Sequence, residues 1–338
     1  MKFYRLRSTR VALALGATSI VLAACGGTSN TVANASSTTS ATKTSLKAIS
    51  YGVLPATNDA PVIVAAHFGY YSQLGLNVTL KKFNGGPLLM QAVTAGAIDG
   101  GLSGAPPVID ALSGGVAVKI VNGPGTMMPA SMNMNGLVVS KASGITALKQ
   151  LKGQTIAVQS LGGVGSLLLQ EYILPSVGLT KADVHIQELP WSSMAAAFAA
   201  GKIVAGTPFT PFLQQILSTE SSKVSVLADP AAFFPGKSFP LGINVFNSKD
   251  LTELGSATIK AFLAGTEKGV TFVQNHPNQA RKIFATYVGL NPSAIQNAPF
   301  GQFVPTIDVH ALQQVADGLF ALKQTTTDVN VSSYIVSP

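Results

Sequence analysis

The chain has 338 residues, a formal net charge of +8, and charged side chains at only 11% of its positions. Its lysines are scattered rather than clustered, which argues against a nucleic-acid-binding protein. A single cysteine excludes an intrachain disulfide and a cysteine-built metal site.

Residues 1–24 are predicted to be a secretory signal peptide. The basic head MKFYRLRSTR contains no acid and precedes the short apolar run VALALGATSIVLAA. That run is shorter than the ~20 residues that span a bilayer, so a retained transmembrane helix is the weaker interpretation. Removal of this segment leaves 18 basic against 14 acidic residues, a net charge of +4.

The end of the signal segment, Leu22-Ala23-Ala24-Cys25, resembles a bacterial lipobox. The resemblance implies a diacylglyceryl group on the Cys25 thiol, cleavage before Cys25, and acylation of the new amino terminus. Several acyl chains, at ~0.8 kcal/mol per buried CH₂, would anchor the protein to a membrane. Residues 25–45 have almost no large apolar side chain and are predicted to form a flexible, lipid-anchored tether.

From residue 46 onward, short apolar strands alternate with helical segments. Strands are predicted at 46–54, 76–83, 97–104, 116–123, 136–141, 154–160, 183–190, 203–209, 223–229 and 240–249. Helices are predicted at 60–75, 85–96, 106–115, 145–153, 165–178, 192–202 and 210–221, and 252–288 and 306–325 are expected to be largely helical. This βαβ alternation predicts mostly parallel sheets with helices on both faces, and its restart near residue 136 indicates two similar lobes.

The loops after these strands are rich in glycine, proline and small polar residues. They read PATND (55–59), NGGP (84–87), SGAPP (103–107), QSLGGVGS (159–166) and PWSSM (190–194). Ligands of open α/β sheets bind beyond the carboxyl ends of the strands. Helix starts of this kind leave backbone N–H groups free and favour anions. A nucleotide P-loop is excluded because Gly165-Ser166-Leu167 lacks the required lysine.

Four segments together resemble a known family. They read HFGYYSQLGLNVTL, GGPLLMQAVTAGAIDGGLSGAPPVIDALSGG, GITALKQLKGQTIAV and LPWSSMAAAFAAGKI. The sequence from about residue 49 to 246 is similar to the extracytoplasmic solute-binding proteins of ABC transporters for nitrate, sulfonate, taurine and thiamine-precursor pyrimidines. The resemblance implies an α/β fold of the periplasmic-binding-protein-like type II, with two α/β lobes and a ligand cleft between them. We place the first part of lobe 1 at 46–138, lobe 2 at 139–241, and the return to lobe 1 with C-terminal helices at 242–338.

The sequence departs from the family pattern in GKIVAGTPFTPF, where the family often has an aspartate and a tryptophan. Val204 and Phe209 stand there instead, so an aromatic wall is kept and a carboxylate is lost. The cysteine cluster of the pyrimidine-producing members is also missing, which argues against that enzyme chemistry. We expect no catalytic residue, no cofactor and no metal.

The residues predicted to contact the ligand lie in the loops described above. They are Asn58, Asn84, Gly85, Gly86, Ser103, Gly104, Ala105, Gly163, Val164, Gly165, Ser166, Trp191 and Phe209. Ser166 is expected to face the ligand from a helix start, and Trp191 to cover it from a loop. The alternative is that these residues only shape turns, and that the tryptophan ring is exposed or packs in the core.

Three other features are interpreted as structural or left open. Asp99 is expected to bind nearby backbone N–H groups, and His67 to be a surface residue at a helix end. The four methionines of residues 127–135 are interpreted either as adaptable cleft lining or as a flexible loop near the hinge.

The leading functional hypothesis is a monomeric, lipid-anchored, extracytoplasmic binding protein of an ABC importer. It would capture a small anion, such as an aliphatic sulfonate, taurine or nitrate, and deliver it to permease subunits. The alternatives are a pyrimidine-binding protein, an enzyme on the same fold, and a sensor ectodomain that presents its ligand to a signalling partner.

Overall fold

A computed structural model describes residues 47–338. The strands are β1 Lys47–Val53, β2 Leu76–Lys82, β3 Gly100–Ser103, β4 Val118–Val121, β5 Gly125–Pro129, β6 Leu137–Ser140, β7 Thr155–Val158, β8 His185–Glu188, β9 Ala205–Gly206, β10 Val224–Ala228, β11 Ser238–Asn247, β12 Gln302–Val304 and β13 Ile335–Val336. The helices are α1 Ala60–His67, α2 Gly86–Thr94, α3 Ala105–Ser113, α4 Val164–Leu167, α5 Leu174–Ser176, α6 Trp191–Ala199, α7 Phe212–Thr219, α8 Ser248–Leu254, α9 Ser256–Asn275, α10 Pro277–Val288 and α11 Val309–Ala321. The predicted signal peptide, Cys25 and the tether lie outside the described residues.

The strands form two separate sheets. The first has the order β12-β5-β11-β3-β1-β2, with β4 paired to β11 and β13 paired to β4. The second has the order β10-β6-β9-β7-β8. The chain passes from the first sheet to the second between β5 and β6, and returns between β10 and β11. The exact limits of the lobes stay a prediction.

Both sheets are mixed, so the prediction of mostly parallel sheets is wrong. Strands β2, β1 and β3 are parallel to one another, as are β8, β7 and β9, because helices cross over between them. Strand β11 is antiparallel to β3, β4 and β5, and β6 is antiparallel to β9 and β10. The chain reaches β6 directly from the first sheet and β11 directly from the second sheet, without a crossover helix. These two strands can therefore run antiparallel to their neighbours.

The methionine-rich segment is partly a strand that the sequence analysis did not predict. Met127 and Met128 lie on β5 between β11 and β12, and both are buried. Met134 is buried in the same apolar core. The interpretation of this segment as flexible loop or cleft lining is therefore wrong for these three side chains, which pack in the interior.

Buried apolar side chains hold helices against both sheets. The first sheet packs on α2, α3 and α11 through residues such as Leu89, Ile109 and Leu312, all completely buried. The second sheet packs on the helical stretch from α4 to α5, where a π-helical segment, Leu168–Ile173, joins the two helices. Within residues 47–338, no helix is both long and apolar enough to cross a membrane.

Helix α9 crosses α1 at Gly269, where the two backbones touch. A Cβ on Gly269 would overlap the carbonyl oxygen of Pro61 and lie 2.8 Å from its carbonyl carbon. Because backbone atoms cannot rotate away, we expect Gly269→Ala to lower the free energy of unfolding by about 1–3 kcal/mol. Chemical denaturation measures this difference.

Gly114 at the end of α3 supplies the matched control. An added Cβ there would have no atom closer than 3.6 Å, and its backbone is compatible with alanine. Gly114→Ala should leave stability unchanged or slightly raised. Equal stability of the two variants would contradict the proposed backbone contact.

Candidate functional site

A small cavity lies where loops from the carboxyl ends of strands in both sheets meet. We call it the central cavity; it offers about 30 Å³ of space to water-sized molecules. Its lining residues are Leu54, Ala56, Asn58, Gly86, Gly104, Pro107, Gln159, Gly163, Val164, Trp191, Phe209 and Leu241. All but Leu241 belong to loops or helix starts that follow β1, β2, β3, β7, β8 and β9. This is the position at which open α/β sheets bind ligands.

Four helices begin beside the central cavity without a side-chain cap. They are α2, α3, α4 and α6, and within the described chain no side chain accepts a hydrogen bond at their N-caps. In α3, Pro106 and Pro107 carry no N–H, so Ala105 supplies the free donor of the first turn. Unpaired N–H groups and the positive ends of helix dipoles give this region a preference for anions.

Glycines let the loops of the two sheets approach each other closely. A Cβ on Gly104 would lie 2.8 Å from Cγ2 of Val164, which follows a strand of the other sheet. A Cβ on Gly85 would lie 2.8 Å from Nε2 of Gln159, which also follows a strand of the other sheet. Any larger side chain at these two positions would separate the two sets of loops.

Two aromatic rings form one wall of the central cavity. The rings of Trp191 and Phe209 stack with their centroids 5.4 Å apart and their planes 27° apart. Phe209 is buried, whereas Trp191 is half-buried. Trp191 is the first residue of α6 and not a loop residue as predicted, because the helix begins directly after Pro190.

Three buried polar atoms in this region have no hydrogen-bond partner among the described residues: Asn58 Oδ1, Ser103 Oγ and Thr207 Oγ1. Buried polar groups are normally paired, and of these three atoms only Asn58 Oδ1 belongs to a residue that lines the central cavity. Thr207 was missed by sequence reasoning. A Cβ on Gly165 would lie 2.6 Å from Thr207 Oγ1, which shows how closely α4 approaches this hydroxyl.

Several predicted site residues lie behind the cavity wall or outside it. Ser103, Ala105, Gly165 and Ser166 do not line the central cavity. The Ser166 hydroxyl is fully buried and accepts a hydrogen bond from Gln170 Nε2 at 2.7 Å. The expectation that Ser166 faces the ligand therefore has no geometric support, while ligand contact by the lining residues stays a prediction.

Asn84 and Gly85 line a second, larger depression, which we call the outer groove. It has a volume of about 790 Å³ and runs along α2, α3 and the loops after β7 and β8. Gln159 lines both the outer groove and the central cavity. Its side-chain amide donates a hydrogen bond to the backbone carbonyl of Asn84, so it links the loops of the two sheets. Sequence reasoning missed Gln159, although it begins the loop QSLGGVGS.

Every residue that lines the central cavity is electrically neutral. Arg281, the only arginine after residue 10, lies elsewhere. Its Nε donates to the carbonyl of Ala298 at 2.8 Å, and its guanidinium lies over the ring of Phe300. A ligand in the cavity would thus meet backbone and side-chain dipoles but no full charge.

The structural interpretations of Asp99 and His67 agree with the structure. Asp99 Oδ2 accepts hydrogen bonds from the backbone N–H of Ser50 at 2.6 Å and from its hydroxyl at 2.9 Å, which confirms the prediction. His67 is exposed at the end of α1. In the part of the chain that the structure describes, no cluster of three or more His, Cys, Asp or Glu side chains could hold a metal ion.

Asp59 is a completely buried carboxyl group next to the cavity residue Asn58. Its Oδ2 accepts a hydrogen bond from the backbone N–H of Leu54 at 2.6 Å. Burial raises the pKa of Asp59 well above its usual value, and the Leu54 hydrogen bond only partly opposes this. Ionisation therefore costs more in the folded state than in the unfolded state, and the resulting loss of stability sets in as pH rises above about 4, the unfolded pKa.

We expect Asp59→Asn to flatten this pH dependence. Asparagine retains an acceptor for the Leu54 N–H and cannot ionise. The variant should match the parent protein near about pH 4 and exceed its melting temperature near about pH 8. Thermal unfolding across this range tests the expectation, and parallel curves for the two proteins would contradict it.

The family model described as "NMT1/THI5 like" matches residues 56–280. A protein of Bacillus subtilis (strain 168), provisionally named an aliphatic sulfonates-binding protein, is 26% identical over 286 residues, covering 82% of each chain.

Solved structures of other proteins share the fold. The alkanesulfonate-binding protein SsuA from Xanthomonas axonopodis pv. citri, bound to MOPS, aligns with a TM-score of 0.72 and 22% identity, covering 87% of this chain and 99% of that one. The periplasmic nitrate-binding protein NrtA from Synechocystis PCC 6803 aligns with a TM-score of 0.69 and 13% identity, covering 85% and 84%. These similarities confirm the predicted type II fold of periplasmic binding proteins, with two α/β lobes and a cleft between them.

Proposed function

The chain belongs to the NMT1/THI5-like family, and from that premise we propose that it is the extracytoplasmic solute-binding protein of an ABC importer. Its ligand would be a small organic or inorganic anion, with aliphatic sulfonates, taurine and nitrate as the first candidates. The observation that carries this proposal is the central cavity, where uncapped helix N-termini meet an apolar wall.

The polar and apolar parts of the cavity suit the two ends of an alkanesulfonate. An anionic head group would accept hydrogen bonds from the N–H groups at the starts of α2 and α4. Trp191, Phe209 and Leu241 would contact the hydrocarbon chain. The small volume of the cavity favours ligands with few heavy atoms.

Transport would follow from closure of the two lobes on the ligand. Gln159 bridges the loops of the two sheets, and the contact between Gly104 and Val164 brings them together at the cavity. We propose that the permease recognises this closed arrangement and that release follows when the lobes separate. No group in this account forms or breaks a covalent bond, so the proposal is for a binding protein and not an enzyme.

A panel of ligands tests the proposal. The purified protein should show a raised melting temperature with short alkanesulfonates or nitrate, because a ligand at 100 times its dissociation constant stabilises the folded state by about 2.7 kcal/mol. Stabilisation by a thiamine-precursor pyrimidine, with no response to any anion, would favour the pyrimidine-binding alternative. Conversion of an added compound to product would favour an enzyme.

The location of the protein is a separate proposal, supported by the lipobox-like sequence at Cys25. We propose a monomer held at the outer face of a membrane by acyl groups on that residue. Cys25→Ala and Cys25→Ser should both abolish metabolic labelling with palmitate, because neither side chain has the thiol that would carry the diacylglyceryl group. Persistent label on either variant would refute the anchor.

A further inference from the structure

We propose that the central cavity selects ligands that carry one negative charge and no positive charge. On this view an unsubstituted alkanesulfonate is preferred over zwitterionic taurine and over dianions. The inference rests on the proposed function and narrows its ligand class. We base this charge selection on the lining of the central cavity, which consists of neutral residues.

The positive potential in the cavity comes only from partial charges. Helix N-termini carry roughly half an elementary charge each, and the lining residues include no lysine, arginine or histidine. Such dipoles can offset the desolvation of one anionic charge. A dianion has a much larger desolvation cost and finds no full positive charge to balance it.

An ammonium group would find no negatively charged partner in the central cavity. The Asp59 carboxyl is completely buried and is not part of the cavity lining, and it accepts hydrogen bonds from the Leu54 N–H at 2.6 Å and from Asn58 Nδ2 at 3.4 Å. Glu188 Oε1 accepts a hydrogen bond from the Leu161 N–H at 2.6 Å and lines the outer groove instead. The cavity lining also includes apolar side chains such as Phe209 and Leu241, which offer an ammonium group no hydrogen-bond acceptor.

Two pairs of ligands of matched size isolate the effect of charge. Propane-1-sulfonate and taurine differ by a terminal methyl group in place of an ammonium group. Methanesulfonate and sulfate are both tetrahedral, but sulfate has the second charge. Titration calorimetry of the purified full chain should show taurine binding about 100-fold more weakly than propane-1-sulfonate, and sulfate about 100-fold more weakly than methanesulfonate.

The outcomes separate this inference from the proposed function. Taurine or sulfate binding as tightly as its matched partner would overturn the charge selection while leaving an anion-binding protein. Absence of binding by all four compounds and by nitrate would overturn the proposed function itself. Weaker binding of taurine and of sulfate than of their matched partners would support both the charge selection and the proposed function.

A pair of variants at Gln159 tests the same inference from the side of the protein. Gln159→Glu places a negative charge at the cavity, whereas Gln159→Met removes the amide without adding charge. Propane-1-sulfonate should bind about 10-fold more weakly to Gln159→Glu than to Gln159→Met, and the preference over taurine should narrow in the glutamate variant only. Equal affinities and equal preferences in the two variants would contradict the inference.

Discussion

Gly104→Leu should reduce the affinity for propane-1-sulfonate by at least about 100-fold, or about 2.7 kcal/mol. Gly104 lies at the start of α3, and a Cβ there would already lie 2.8 Å from Cγ2 of Val164. A leucine side chain would extend into a cavity that offers only about 30 Å³ to water-sized molecules. It would exclude the ligand and hold the two sets of loops apart.

Gly162 provides the control for this prediction. It lies in the same group of loops, is exposed, and an added Cβ would meet only Pro87, at 3.6 Å. Gly162→Leu should retain affinity within about 3-fold of the parent protein, a difference below 1 kcal/mol. Both variants should keep the circular dichroism spectrum of the parent. Full binding by Gly104→Leu would refute the location of the ligand in the central cavity.

Trp191→Ala should weaken the binding of propane-1-sulfonate by about 2–4 kcal/mol, the range for a central aromatic anchor. Its half-buried ring lines the central cavity and stacks on Phe209 at 5.4 Å. Removal of the ring takes away apolar contact with the ligand and opens the cavity to water. Calorimetric titration gives the loss directly.

Trp191→Phe shows whether binding needs the indole itself or only an aromatic ring at this position. Phenylalanine keeps an aromatic face against Phe209, so this variant should lose about 1 kcal/mol or less. Thermal unfolding of both variants shows whether the fold is retained. Wild-type affinity in Trp191→Ala would show that the tryptophan packs against the core without contributing to the site.

The sequence predicted the lobes and much of the cavity because both depend on local rules. Helix starts after parallel strands bring backbone N–H groups to one edge of each sheet. The glycine-rich loops at this edge therefore predicted Gly86, Gly104 and Gly163 as residues of the ligand site. The aromatic wall at Phe209 followed from the family resemblance. These features require only the order of the elements and the chemistry of the loops.

Other features depend on contacts between distant parts of the chain. Leu241 reaches the central cavity from β11, and Thr207 lies beside Gly165 because α4 packs against the loop after β9. The sequence predicts that Ser166 faces the ligand, but Ser166 is two residues beyond the cavity residue Val164, a rotation of about 200° around the helix. Its hydroxyl therefore points inward to Gln170.

The most direct test of the account is the emission of Trp191 during titration with propane-1-sulfonate. Trp191 is the only tryptophan in the chain, so its signal reports on the cavity alone. The account predicts a saturable change in emission that gives the same dissociation constant as calorimetry, because the ligand displaces water from the indole ring. Binding detected by calorimetry without any change in the emission of Trp191 would contradict a ligand site in the central cavity.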